Sequence, residues 1–181
     1  EGEALRDKVR LRGYGYRWQG LSPLFLEVKR KIGPRIVKYR QRFDSFSDDL
    51  FRPETWRPDA SRAAAQVAAL VHRHRLRPAV QILYQREGYE SAFAPSLRVA
   101  FDSQLLALHP RQRLEPWMAD HHSFRMLPDT HFVFEVKSDG ALPEWVLRAL
   151  QIGQVEQRAI SKYVLGIEKL GLQNREIGVS A

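Results

Sequence analysis

Basic residues alternate with apolar ones in several stretches of this sequence. Arg10 and Arg12 stand in "VRLR", Lys29 in "LEVK", Lys38 in "VKYR", Arg86 in "YQRE", Arg98 in "SLRVAFD" and Lys137 in "FEVK". A repeat of two is that of a β-strand, whose successive side chains point to opposite faces. Cations set side by side on strand faces repel one another, so this pattern calls for an anion between them. Arginine offers a planar fork that suits phosphate oxygens, and lysine a mobile point charge. Glu27, Asp102 and Glu135 fall on the same predicted faces. Two roles are open for them: sharing a divalent cation with phosphate, or holding the neighbouring bases in place. One "EVK" alone is an ordinary solvated strand face. Two copies with matching apolar flanks, "FLEVKRK" and "FVFEVKS", favour a site.

The charge distribution agrees with a polyanionic partner. The net charge is +8, and residues 1–43 hold 12 Lys/Arg against 4 Asp/Glu, while the remainder is balanced. A local basic excess of this kind attracts polyanions. Tyr14, Tyr16, Trp18 and Tyr39 could stack on bases. Strand cations directed inward nevertheless disfavour nucleic acid, because a duplex needs an accessible surface. The absence of cysteine excludes a disulfide scaffold and a thiol nucleophile and fits a reducing compartment. No apolar run is long enough to span a bilayer.

The elements that must position these residues read as α+β. Strands are expected in "DKVRLRGYG", "LFLEVKRK" and "RIVKYRQRF", joined as an antiparallel meander with a turn at Gly33-Pro34. A helix follows in "PDASRAAAQVAALVHRHRLRP", with Asp59 or Ser61 as its cap. Further strands are expected in "AVQILYQREGYES", "SLRVAFDSQL" and "THFVFEVKSDG". On these, Leu97, Val99 and Phe101 oppose Arg98, Ala100 and Asp102. Likewise Phe132, Phe134 and Val136 oppose His131, Val133, Glu135 and Lys137. Helices are expected in "LPEWVLRALQ" and "QRAISKYVLGIEKL", the second burying Tyr163, Val164 and Ile167. Trp56, Trp117 and Trp145 read as packing residues. His72 and His74 read as a solvated helix end, and His121-His122 as loop.

Taken together, "DKVRLRGYG", "FLEVKRK", "VKYR", "LYQREGYES", "LRVAFD", "FVFEVKSDGALPEW" and "ISKYVLGIE" resemble the VTC domain, the polyphosphate polymerase module of the CYTH-like, triphosphate tunnel group. The resemblance spans nearly the whole chain and implies one domain over residues 1–181, an antiparallel β tunnel or barrel with flanking helices. It implies transfer of the γ-phosphoryl of ATP to a polyphosphate chain with Mn²⁺ or Mg²⁺. Relatives instead hydrolyse tripolyphosphate, and a non-catalytic polyphosphate or inositol-phosphate binding module is the alternative. By motif, Arg10, Arg12, Lys29, Lys38 and Lys162 resemble catalytic phosphate ligands. Arg86, Arg98, Lys137 and Ser161 resemble further substrate ligands. Glu135 resembles the principal metal carboxylate, with Glu27, Asp102 and Lys31 as weaker neighbours. The family's usual opening is a Glu/Lys strand, a helical stretch and a "YFDT"-like segment. None precedes "DKVRLR", so the resemblance implies a domain lacking its N-terminal part here, with activity expected when that part is supplied. It also implies a cytoplasmic setting in which ATP, triphosphate or polyphosphate is the partner. A membrane-associated protein partner is compatible with it.

Overall fold

A computed structural model describes residues 5–15, 23–44, 62–94, 96–110 and 123–172. The chain forms two compact units, one within Glu1–Pro78 and the other within Ala79–Pro110 and Asp120–Gly178. Antiparallel sheets with a few helices make both, as expected of an α+β fold.

The first unit is the expected meander. Strands β1 (Leu5–Arg12), β2 (Leu24–Ile32) and β3 (Arg35–Phe43) pair in sequence order. Gly33 takes a left-handed φ of 55° at the first position of the two-residue β2–β3 loop, where primed hairpin turns favour glycine. Leu26 and Val28 are buried on one face, against Val9, Leu11, Tyr39 and Phe43. Helix α1 (Arg62–His74) covers that face with Leu70. Arg30 also lies there, bound by two hydrogen bonds of 2.8 Å to Asp7 and by a third, of 3.4 Å, to Gln66 of α1. Arg30 holds the Asp7 carboxyl below its usual pKa. His72 and His74 are exposed at the helix end. The two proposed caps of this helix, Asp59 and Ser61, lie outside the described residues.

The second unit pairs β4 (Gln81–Glu90) with β5 (Arg98–Leu108), which also pairs with β6 (Phe124–Arg125) and β7 (Val133–Lys137). Helices α2 (Glu144–Ile152) and α3 (Lys162–Lys169) follow. Among the described residues neither sheet closes on itself, and no helix is long and apolar enough to cross a membrane.

The core of this sheet differs from the alternation read in the sequence. Leu105, Ala107, Met126 and Val133 are buried together with Val80, Ile82 and Tyr84 against them. Val133 therefore packs inward, while Phe132 is 55% exposed and Phe101, Phe132 and Phe134 cluster on the opposite face. A bulge in β5 explains the change. Gln85 pairs with Ser103 but Leu83 with Leu106, so Gln104 and Leu105 together oppose Tyr84, and Gln104 has a φ of 51°. One extra residue reverses the parity of a strand. Leu105 and Ala107 thereby share a face with Asp102. Helix α3 packs on the same face through Leu165 and Gly166, whereas Tyr163 and Val164 are 47% and 44% exposed. The expected burial of Tyr163 and Val164 is thus reversed, because the helix turns its glycine to the sheet. Trp145 is also exposed rather than packed. Trp56 and Trp117 lie outside the described residues, as do Tyr16, Trp18 and His121-His122.

Candidate phosphate-binding sites

The face of the first sheet opposite its core carries the cations. Cross-strand register sets Lys8, Lys29 and Lys38 in one row, Arg10, Glu27 and Arg40 in the next, and Arg12, Phe25 and Arg42 in a third. Three lysines directly opposite one another repel. Glu27 bridges the middle row, at 2.5 Å from Arg10 Nε and 3.3 Å from Arg40 Nε. It thus holds two arginines, where the sequence left open whether it orients bases or shares a metal. The Arg40 guanidinium lies 3.7 Å from the centroid of Phe25, and that of Arg12 4.7 Å from Tyr14. These rings lie against the guanidinium groups and hold the charges of Arg40 and Arg12 in place. Lys31 lies on the same face. Arg40 and Lys8 were not among the residues singled out in the sequence. For Arg40 the signal was the β2–β3 hairpin register, which a turn at Gly33-Pro34 determines; for Lys8 it was the shared parity with Arg10 and Arg12.

The second unit concentrates its charge around a buried carboxylate. Asp102 is 0% exposed in the middle of β5. Arg86 approaches it side-on, Nε to Oδ1 at 2.5 Å and Nη2 to Oδ2 at 2.6 Å, and Lys162 Nζ lies 2.6 Å from Oδ2. Arg86 Nη2 also donates to Glu135 at 3.0 Å, and Lys137 Nζ is 2.9 Å from the other Glu135 oxygen. The Tyr84 ring centroid lies 5.4 Å from the Arg86 guanidinium and 5.2 Å from the Lys162 ammonium. Burial works to raise the pKa of Asp102, but the hydrogen bonds from Arg86 and Lys162 outweigh it, and the carboxyl sits below its ordinary value. Glu135 follows the same balance: burial raises it, while Lys137, Arg86 and Lys162 bring it below. Asp102, foremost, drives the Arg86 pKa upward, so Arg86 is permanently charged.

Local structure explains how these groups meet. Arg86 pairs with Asp102 in register, and Ala100 with Glu135, so all four share one face of the sheet. Gly166 is what lets α3 come close: a Cβ there would stand 3.2 Å from Val80 Cγ2 and 3.6 Å from Ala107 Cβ. Lys162, one turn earlier on the same helix face, is carried over Asp102. Ser161 caps that helix, its hydroxyl oxygen accepting from Val164 N–H at 3.4 Å. Gly88 and Ala100 form a floor of small residues between the Arg86–Asp102 pair and the Arg98–Lys137 pair. Nothing stands within 4 Å of where a Gly88 Cβ would be. Tyr84 was missed as a site residue because its alternation reads as core.

Among the described residues, no three His, Asp or Glu side chains converge as a resident metal requires. Asp102 is filled by Arg86 and Lys162. Glu135 is partly exposed, and both its oxygens are engaged, by Arg86 and by Lys137, so a hydrated cation arriving with phosphate would have to share a second lone pair on one of them.

The family profile for the VTC domain matches residues 1–171. No curated protein matches the chain.

Proposed function

The chain belongs to the VTC domain family, and from that membership and its two cation arrays we propose that it moves the γ-phosphoryl of ATP onto a polyphosphate chain. VTC domains are associated with polyphosphate polymerase activity. The observation that carries the reading is the Arg86–Asp102–Lys162–Glu135 cluster beside the Gly88–Ala100 floor. It pairs fixed cations with open space, the requirement for binding an extended anion.

In the transfer, a terminal phosphate oxygen of the growing chain bonds to the γ-phosphorus. The bond from that phosphorus to the β–γ bridging oxygen breaks, and ADP leaves. No side-chain nucleophile is needed, since positioning and charge stabilisation supply the catalysis. Arg86, Lys162 and Lys137 would neutralise non-bridging oxygens, with Arg98 continuing the row. Mn²⁺ or Mg²⁺ bound through Glu135 would add neutralisation of the phosphate oxygens. In the first unit, Lys29 and Lys38 would bind phosphate beside Arg10, which Glu27 holds, and Arg12, which the Tyr14 ring holds.

The engagement of all three carboxylates by protein cations favours a second reading, a non-catalytic polyphosphate or inositol-phosphate binding module. Incubation with ATP and Mn²⁺ or Mg²⁺, followed by separation of long phosphate polymers from free phosphate, tests the proposal. Polymer and ADP are expected. Free phosphate without polymer would point to hydrolysis. Tripolyphosphate binding without either product would leave the binding module, and failure of both would overturn the phosphate reading.

A further inference from the structure

We propose that Asp102 is a positioning residue that presents Arg86 and Lys162 to a phosphate chain, holding each by one side so that its remaining donors point outward. This inference rests on the phosphate reading of the cluster. Asp102 uses both its oxygens on these two cations and is closed to solvent. Arg86 gives it the Nε/Nη2 edge, and Nη2 also meets Glu135, so Nη1 has no protein acceptor among the described residues. Lys162 gives one of its three N–H donors and retains two. Arg86 and Lys162 are 31% and 21% exposed, so each is anchored below and open above.

Two other roles fit this geometry poorly. A metal ligand needs an oxygen that a hydrated cation can reach, and Asp102 presents none at the surface. As a pure stabilising device the cluster would be a poor choice, because well-packed apolar groups usually replace a buried ion pair at no loss. Positioning explains more of the arrangement. Tyr84 lies against both cations, and the close approach of α3 at Gly166 sets the height of Lys162 over the sheet. Without the carboxylate, the two cations would repel and separate. Phosphate could still bind between them, drawn by a site one charge more positive, but without the geometry that transfer requires.

The test combines side-chain NMR with Asp102→Asn in the whole protein. In the unaltered protein the Arg86 Nε–H should exchange slowly with solvent, unlike that of Arg42 on an exposed strand edge. Tripolyphosphate in EDTA should perturb the outer Arg86 nitrogen more than Nε. In a folded Asp102→Asn variant the protected Nε–H signal should vanish. Tripolyphosphate affinity should stay within about threefold or tighten, while transfer from ATP falls at least about tenfold. A merely structural role would weaken binding and transfer together, and that result would overturn the inference. So would unchanged transfer, recovery of transfer in excess Mn²⁺, or fast exchange of the Arg86 Nε–H in the unaltered protein. Should the variant fail to fold, the exchange and tripolyphosphate measurements on the unaltered protein still decide. A protein with slow Arg86 exchange that neither binds tripolyphosphate nor transfers phosphate would defeat the phosphate reading instead.

Discussion

The two units put positive charge to different physical use. In the first, an apolar face and a cationic face lie on opposite sides of one sheet, and the bases are largely exposed, two of them bridged by Glu27. In the second, charge and core share one face, and the bases converge on a carboxylate closed to solvent. An exposed array attracts polyanions at a distance and is screened by salt. A buried cluster attracts at shorter range, resists screening and fixes geometry. Two sheets built from similar alternating segments thus acquire complementary properties through burial alone.

The largest effect expected of this difference is on stability. Asp102→Ala leaves two cations around an emptied buried site and should cost about 3–5 kcal/mol in denaturant unfolding. Gly166→Val should cost about 1–3 kcal/mol, because its side chain would collide with Val80 and Ala107 and lift α3 from the sheet. The same variant should weaken the contact of Lys162 with Asp102, seen as faster exchange of the Arg86 Nε–H. Acid should also act on the second unit. Asp102 and Glu135 have folded pKa values below their unfolded ones. Their contribution is therefore complete above the unfolded value and disappears as pH falls through the folded one, below about pH 4. Unfolding free energy followed from neutral pH downward should decline there, and Asp102→Asn should flatten part of that decline. The smallest effect belongs to the first unit: Glu27→Ala should change stability by less than about 1 kcal/mol, since its arginine partners are well exposed. A larger loss for Glu27→Ala than for Asp102→Ala would erase the contrast.

How legible each unit was in the sequence follows from the same difference. The first sheet runs without interruption, so parity alone placed Arg10, Arg12, Glu27, Lys29 and Lys38 on one face, and the register agrees. In the second, parity placed Arg98 with Asp102 and Glu135 with Lys137, but not their relation to the core. The bulge at Gln104 carries no glycine to mark it, and it brings Leu105 and Ala107 to the charged side. The two-residue strand β6 is too short to show a period. The contact of Lys162 with Asp102 joins residues 60 positions apart through a helix whose inward glycine reads as a weakness. Local pattern contains none of that. Family resemblance singled out Lys162, and only the packing of α3 supplies its partner.

The central claim is that the buried cluster recognises phosphate chains. Calorimetric titration of tripolyphosphate, in EDTA and at two salt concentrations, tests it on the unaltered protein and on Arg86→Gln/Lys162→Gln. Binding should fall at least about tenfold in the double variant, with the residual binding more sensitive to salt because the exposed array carries it. A folded double variant that binds tripolyphosphate as tightly as the unaltered protein would show that the buried cluster is not the phosphate site.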